Sequence, residues 1–297
     1  MMSTLSCVTI LTERRCSDGR LIVDFIAEAL GISLMPLNLG HSNQDFKQGV
    51  NFAVSGATTL DLAVFEEKGV HVYTNYSLGV QFAWFKQLLP SLYALRSGKS
   101  VQELRAIVPH VIDTISSTIT ELIDEGAVTL MVPGNLPIGC SPSYLTVLQS
   151  QNKDDYDTNG CLSWLNEFSQ FHNQLLQNEL NRLREVHPHA TIIYADYYKV
   201  AIELYQFPNQ LGFTGGDLTT CCGGGGPYNY NVSAKCGYQG STACVDPSLF
   251  VNWDGVHWME RAYNHIATGI LSGPFTTPRI NIGCVSSKSH NDDHSSS

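Results

Sequence analysis

The chain has 297 residues, of which 43% are hydrophobic and 15% charged, enough to bury one substantial core, and no change in composition before the C-terminal tail divides it into several domains. Its 17 basic and 27 acidic residues give a net charge of −10 without a Lys/Arg-rich run, which argues against nucleic acid or an anionic bilayer as a partner. No apolar run reaches the ~18 to 20 residues that a membrane span needs, and nothing in the sequence indicates an oligomeric state.

The first predicted elements are a helix and a strand. Residues 19–30 place their apolar side chains on one stripe behind a Ser-Asp cap, which predicts an amphipathic helix that ends at Gly31. Residues 50–55 are rich in strand formers and run into a tight turn at Gly56. We therefore predict a strand that opens directly into this turn.

Two longer helices are predicted next, over residues 78–89 and 101–125. Pro109 lies inside the second helical pattern and is expected to kink it. The apolar run over residues 127–132 is short and continuous, which is typical of a strand covered on both faces. Asn135, which follows it, is interpreted as a turn residue.

The alternation of helix and strand continues through the second half of the chain. It consists of a long helix over residues 161–187, a buried strand over residues 190–195 and a helix that begins at Tyr197. Helices alternating with buried strands pack on the two faces of a parallel sheet. The sequence thus predicts an α/β sandwich with a mostly parallel sheet and a functional site beyond the carboxyl ends of its strands.

Residues 212–247 differ in kind because they are rich in glycine and cysteine. We predict an irregular loop that is cross-linked in an oxidising compartment, with the connectivity of the disulfides left open. The cysteines lack paired C-x-x-C spacing and no Gly-Lys-Ser/Thr follows the glycines, so neither a metal site nor a phosphate-binding loop is predicted. No metal or other cofactor is expected elsewhere.

Two glycosylation sequons, at Asn75 and Asn231, suit a protein made in the secretory pathway. The N-terminal segment disagrees, because no basic residue precedes the short apolar stretch in residues 1–10 and acidic and basic residues follow it, which makes a poor signal peptide. The compartment therefore stays open. Residues 285–297 form a polar tail with nothing to bury and are expected to be disordered.

The strongest candidate for chemistry is Asp254-Gly-Val-His257, which stands just ahead of an apolar-periodic run. A carboxylate and an imidazole three positions apart can be held together by the Asp-Gly turn. In nucleophilic acyl transfer, such a histidine takes a proton from a serine and the carboxylate fixes its tautomer. The simpler interpretation is a hydrogen-bonded pair that caps the helix and has no catalytic role.

Six phrases, taken in order, resemble plant GDSL-type esterase/lipases of the SGNH hydrolase superfamily, and the resemblance runs from about Cys16 to Gly273. They lie at residues 16–31, 49–61, 127–140, 190–198, 221–231 and 252–267. The resemblance implies a serine hydrolase on a flavodoxin-like three-layer α/β/α sandwich, secreted, acting on small-molecule esters or lipids without a metal. It implies Asp254 as orienter, His257 as general base and the backbone N–H of Gly56 as an oxyanion donor.

The sequence departs from the family in two places. The family opens with a strand and a Gly-Asp-Ser-Leu block that carries the nucleophile, but only residues 1–15 precede the resemblance, and Ser3 and Ser6 do not follow a strand at a glycine turn. Between Pro90 and Val101 the Gly-Gly-Asn-Asp block, whose asparagine is an oxyanion donor, is also absent. The nucleophile is therefore unassigned, and the sheet is expected to lack its central strands.

We accordingly predict a non-family segment at residues 1–15, a hydrolase-like domain at 16–284 and the polar tail. Two functions remain open. One is a carboxylic ester hydrolase whose activity is impaired by the missing blocks, and the other is a non-catalytic isoform that acts as an acyl-binding or interaction protein. Trp253 and Trp258 flank the Asp/His pair and are candidates to line a substrate pocket, although large apolar side chains are more often part of a core.

Overall fold

The structure, a computed structural model, describes residues 17–32, 51–54, 57–67, 74, 76–81 and 105–280. Within these ranges the elements are α1 (Ile22–Ala29), α2 (Leu62–Glu67), α3 (Val108–Asp124), β1 (Thr129–Pro133), α4 (Pro142–Val147), α5 (Ser163–Val186), β2 (Thr191–Ala195), α6 (Tyr197–Gln206), β3 (Cys222–Gly223), β4 (Thr242–Ala243), α7 (Glu260–Ser272) and β5 (Thr276–Thr277), with 3-10 turns at Ile138–Cys140, Lys153–Asp155 and Pro247–Leu249. Residues 78–81 are also helical.

The larger described sheet has the order β1-β2-β5. Strands β1 and β2 are parallel, with Met131 opposite Ile193, whereas β5 pairs with β2 in the antiparallel direction, with Thr277 opposite Tyr194. Parallel strands need a crossover, which here is α4 and α5. The predicted α/β fold is confirmed, with a small sheet that is mixed in direction.

Alternate residues of the strands face two separate cores, as the period of two in a strand requires. Leu130, Val132, Ile192 and Tyr194 pack against the apolar side chains of α3 and α5. Met131 and Ala195 pack on the other side, with residues of α1, α6 and α7. The sheet therefore lies between two layers of helices.

Strand β1 is less buried than its apolar sequence predicted. Its residues are half-buried or exposed along the whole length, whereas four of the five residues of β2 are buried. In the part of the chain that the structure describes, β1 has a strand on one side only, because it is the edge of the three-stranded sheet. Both strands are covered by helices on their two faces, as predicted, and the greater exposure of β1 follows from its position at the edge of the described sheet.

Two further predictions need correction. Asn51 makes a single bridge and residues 52–54 are irregular, so the strand predicted over residues 50–55 is not formed where the structure describes it. A strand needs a paired neighbour for its backbone groups. Pro109 does not kink a helix, because α3 begins at Val108 and proline occupies its first turn, where the missing N–H removes no hydrogen bond.

The glycine- and cysteine-rich segment is cross-linked as predicted, and the structure supplies the connectivity. Disulfides join Cys221 to Cys244 and Cys222 to Cys236, and the short β3–β4 ladder lies between them. A third disulfide, Cys140–Cys161, links the 3-10 turn after β1 to the start of α5. The predicted N-terminal segment at 1–15 and tail at 285–297 lie outside the described residues.

Helix α7 is capped by a segment from the other end of the chain. The Asp18 carboxylate accepts a hydrogen bond from the Glu260 N–H at 2.5 Å, and Arg20 Nε donates to Glu260 Oε1 at 2.6 Å. A side chain at Gly19 would collide with the Glu260 carboxylate. These contacts fix the N-terminus of the helix that follows His257. No helix in the described ranges has both the length and the apolar character to cross a membrane.

Candidate active site

The structure brings Asp254 and His257 together in one tight turn. The Asp254 Oδ2 atom lies 2.8 Å from His257 Nδ1. The other carboxylate oxygen, Oδ1, accepts hydrogen bonds from the backbone N–H groups of Val256 at 3.0 Å and His257 at 2.9 Å. A single carboxylate thus holds both the imidazole ring and the backbone that carries it.

The charge of this carboxylate follows from its surroundings. Burial alone would raise the pKa of Asp254. The attraction of His257, the hydrogen bond from its ring and the two backbone N–H groups outweigh that effect, and the pKa of Asp254 lies below its ordinary value of 3.8. The group is therefore an ionised acceptor at neutral pH.

This arrangement leaves one ring nitrogen of His257 available. Because the Asp254 carboxylate accepts from Nδ1, the neutral imidazole carries its proton there and Nε2 has a lone pair. The His257 side chain is 26% exposed, and within the described ranges Nε2 has no hydrogen-bond partner. Chemically, Nε2 can accept a proton from a hydroxyl group that approaches from solvent or from a bound ligand.

The turn is anchored through the carbonyl of Gly255. That oxygen accepts a hydrogen bond from Ser141 Oγ at 2.6 Å and another from the Ser143 backbone N–H at 3.0 Å. Gly255 has φ +95°, and a Cβ atom there would lie 2.4 Å from the ring of Tyr230. Glycine is therefore required by backbone conformation and by space. Sequence reasoning found the Asp-Gly turn but not its two serine partners.

The two tryptophans that flank the pair lie in the core. Trp253 is 7% exposed and packs with the disulfide cysteines, whereas Trp258 is 6% exposed and packs with side chains of α6 and α7. Trp258 Nε1 donates to Tyr205 Oη at 2.8 Å, and that hydroxyl donates to Asn252 Oδ1 at 2.9 Å. These contacts match the core interpretation, and the pocket role stays a prediction.

A half-buried tyrosine lies on the helix side of the turn. The Tyr263 hydroxyl accepts a hydrogen bond from the Trp258 backbone N–H at 3.1 Å. Burial, opposed by that hydrogen bond and assisted by the charges of Asp254 and Asp18, raises the pKa of Tyr263. Tyr263 therefore stays neutral, and its hydroxyl holds the backbone of Trp258 in place by accepting this hydrogen bond.

The remaining predicted residues are placed as follows. Gly56, proposed as an oxyanion donor, and Asn75 lie outside the described residues, as do the N-terminal serines. Asn231 is exposed. Asn135 lies in an irregular segment after β1, where its Oδ1 accepts from the Leu136 N–H at 2.9 Å and its own N–H donates to Asn173. Over the ranges that are described, no three His, Cys, Asp or Glu side chains are arranged to hold a metal ion.

The chain is similar to known proteins over most of its length. The sequence pattern of the GDSL-like lipase/acylhydrolase family matches residues 11–270. A GDSL esterase/lipase of Arabidopsis thaliana is 47% identical over 309 residues, which cover 94% of this chain and 78% of that protein. The sinapine esterase of Brassica napus is 45% identical over 305 residues, covering 93% of this chain and 78% of its own length.

Proposed function

Because the chain belongs to the family of GDSL-like lipases and acylhydrolases, we propose that Asp254 and His257 are the orienting carboxylate and the general base of a carboxylic ester hydrolase. Membership of the family places the chain among hydrolases of ester bonds, with small-molecule esters as the substrate class. The observation that carries the assignment is the 2.8 Å contact between Asp254 Oδ2 and His257 Nδ1, which leaves Nε2 unengaged.

The chemistry of this pair is that of acyl transfer. His257 Nε2 takes the proton of a nucleophilic hydroxyl as the hydroxyl oxygen attacks the ester carbonyl, and it returns the proton to the departing alcohol. Asp254 keeps the proton on Nδ1 and stabilises the imidazolium that forms. A backbone donor stabilises the oxyanion, and the family resemblance of its block supports Gly56 for that role.

We also propose that this chain is impaired as a hydrolase. Its sequence contains no Gly-Asp-Ser-Leu or Gly-Gly-Asn-Asp block. The alignment with the Arabidopsis relative is 309 residues long, longer than the whole chain of 297, which supports a gap inside this chain relative to its family. Among the described residues β1 pairs with β2 alone, as expected if the central strands are missing. No described serine contacts His257 Nε2.

Hydrolysis of p-nitrophenyl acetate tests both the general-base role of His257 and the impaired activity of the chain. We expect the purified chain to release p-nitrophenol no faster than its His257→Ala variant. His265→Ala is a matched control, because that histidine lies on the following helix and pairs with Glu203 at 3.2 Å, away from Asp254. Hydrolysis that is lost in His257→Ala but kept in His265→Ala would refute impairment while supporting the general base.

A second function is a non-catalytic one, in which the chain binds acyl groups or associates with other proteins. The observation that favours it is that no serine in the described ranges contacts His257 Nε2, because a general base without a nucleophile cannot form an acyl-enzyme. A fluorophosphonate probe separates the two functions because it labels only an activated serine. Labelling would support the hydrolase, whereas retention of a fluorescent fatty acyl chain without labelling would support binding.

The proposed location of the protein is the secretory pathway or the extracellular space. Three disulfides link described residues, and such bonds form and persist in oxidising compartments. Fluorescent fusion of the longest transcript from the same gene tests this location, and a reticular or apoplastic signal is expected. A uniformly cytosolic signal would contradict it.

A further inference from the structure

We propose that Asn231, in the loop closed by the Cys222–Cys236 disulfide, carries an N-linked glycan. The proposal rests on the secretory location given above. Asn231, Val232 and Ser233 form an Asn-x-Ser sequon, and all three residues are exposed to solvent. The Val232 side chain, which has no polar group to hydrate, is 45% exposed.

The sequon forms a local turn in which its amide nitrogen and its hydroxyl have few partners. Asn231 Oδ1 accepts a hydrogen bond from the Ser233 backbone N–H at 2.9 Å, which closes an Asx turn and turns the amide nitrogen outward. That nitrogen, Nδ2, makes only a long contact of 3.4 Å with the Gly224 carbonyl. The Ser233 hydroxyl makes no hydrogen bond in the described part of the chain. The nucleophilic amide and the hydroxyl of the sequon are both accessible.

The surrounding segment can hold a glycan without rearrangement. The disulfide Cys222–Cys236 closes a loop that contains the sequon, so the turn is held at the surface by a covalent link. A Cβ atom at Gly225, close to the sequon in the chain, would have no neighbour within 4 Å, which indicates open space. A bulky solvated group at this place displaces no packed side chain.

The sequon at Asn75 differs from that at Asn231 in the surroundings of its serine. Ser77, the hydroxyl residue of the sequon at Asn75, is 2% exposed, and its Oγ donates to the Asp61 carboxylate. The equivalent hydroxyl at Ser233 is exposed and unengaged. The native fold is therefore compatible with an accessible sequon at Asn231 and uses the serine of the other sequon as a buried structural group.

Transfer of the oligosaccharide to Asn231 is a substitution that changes no oxidation state. The Asn231 Nδ2 atom attacks the anomeric carbon of an oligosaccharide carried on a lipid pyrophosphate. A C–N bond forms as the C–O bond to the pyrophosphate breaks, the nitrogen loses one proton, and the lipid pyrophosphate leaves. The donor and the transferring enzyme are those of the secretory pathway of the host cell, and the chain supplies only the acceptor amide.

The test is to secrete the full chain from plant cells behind a cleavable signal peptide and to treat it with a peptide N-glycosidase. Wild type should gain mobility on treatment, and mass spectrometry should find aspartate at position 231, since the enzyme converts the glycosylated asparagine. Asn231→Gln and Ser233→Ala should lose the shift, Ser233→Thr should keep it because threonine preserves the sequon, and Asn75→Gln should leave it unchanged.

Mass spectrometry of the wild-type peptide that contains position 231 gives a result that does not depend on whether the variants fold. If Asn231→Gln fails to be secreted, the wild-type peptide still decides the question. Unmodified asparagine at 231 in secreted wild type, or a glycan removed only by Asn75→Gln, would overturn the proposal. Because the signal peptide delivers the chain to the secretory pathway in every case, this result is separate from that of the location experiment on the natural transcript.

Discussion

Replacing Gly255 by alanine should destabilise the turn that joins Asp254 to His257. An alanine at φ +95° costs about 1–3 kcal/mol of backbone strain. Its Cβ would lie 2.4 Å from the ring of Tyr230, which is itself buried, and such overpacking adds about 1–3 kcal/mol. The free energy of unfolding should therefore fall by about 2–6 kcal/mol, and Tm by on the order of 10 °C.

Gly225→Ala is the matched control for this substitution. Gly225 has φ +86°, close to that of Gly255, but a Cβ atom there would meet nothing within 4 Å. Both variants carry the same backbone strain, and both lower the conformational entropy of the unfolded chain by a similar amount. The difference between their Tm values therefore measures the collision with Tyr230. Thermal unfolding followed by circular dichroism, at one scan rate and without reductant, gives both values.

A double-mutant cycle strengthens the test. Tyr230→Ala should restore space, so the loss caused by Gly255→Ala should be smaller in that background than in wild type. Equal Tm values for Gly255→Ala and Gly225→Ala would refute the reasoning, because the ring would then move aside at no cost. Additive effects in the cycle would contradict it in the same way.

Three further predictions concern the supports of the same turn. Ser141→Ala removes the hydroxyl that donates to the Gly255 carbonyl and should lower the free energy of unfolding by about 1 kcal/mol, whereas Ser143→Ala keeps its backbone donor and should have less effect in urea titrations. Asp254→Asn should cost about 2 kcal/mol at pH 7. Because the folded pKa of Asp254 is lowered, the contribution of its charge is complete above the ordinary value of 3.8 and is lost as the pH falls through the lowered value, so wild-type and variant stabilities should converge in acid. A difference independent of pH would contradict a contribution from the charge of Asp254. Removing the Cys140–Cys161 disulfide, which spans 21 residues, should cost about 3 kcal/mol in guanidinium unfolding, and an unchanged midpoint would show that the chain is held without it.

The elements with strong local signals were predictable. The predicted bounds of α5 and β2 agree with the structure within about two residues. A long amphipathic stripe favours a helix, and a continuous apolar run rich in β-branched residues favours a strand. Pro109 was misjudged since a proline in a helical pattern marks either a kink or a first turn, and the boundary at Val108 decides between them.

Predictions that depend on a neighbour did less well. Residues 52–54 have the composition of a strand but are irregular, and β1 has the composition of a central strand but lies at the edge of the sheet that the described residues form. Strand propensity reflects packing against adjacent strands more than a preference of the backbone, so composition alone does not fix whether a segment pairs or where it lies in the sheet.

The candidate site was half predictable. Asp254 and His257 are close in sequence, so their spacing alone indicated that they can meet. Ser141 and Ser143 lie more than a hundred residues away, and their contact with Gly255 depends on tertiary packing that no local pattern records. The same holds for the disulfides, because cross-linking of the cysteine-rich segment was predicted but neither its connectivity nor the Cys140–Cys161 bond was.

The contact of Asp18 and Arg20 with Glu260 has a consequence for the order of assembly. A ribosome releases residues 17–20 early and Glu260 some 240 residues later, so the helix behind His257 receives its cap only when nearly the whole chain has emerged. Contacts of such long sequence separation slow folding. The histidine thus acquires its final setting late in biogenesis, after the disulfide-linked segment that precedes it has left the ribosome.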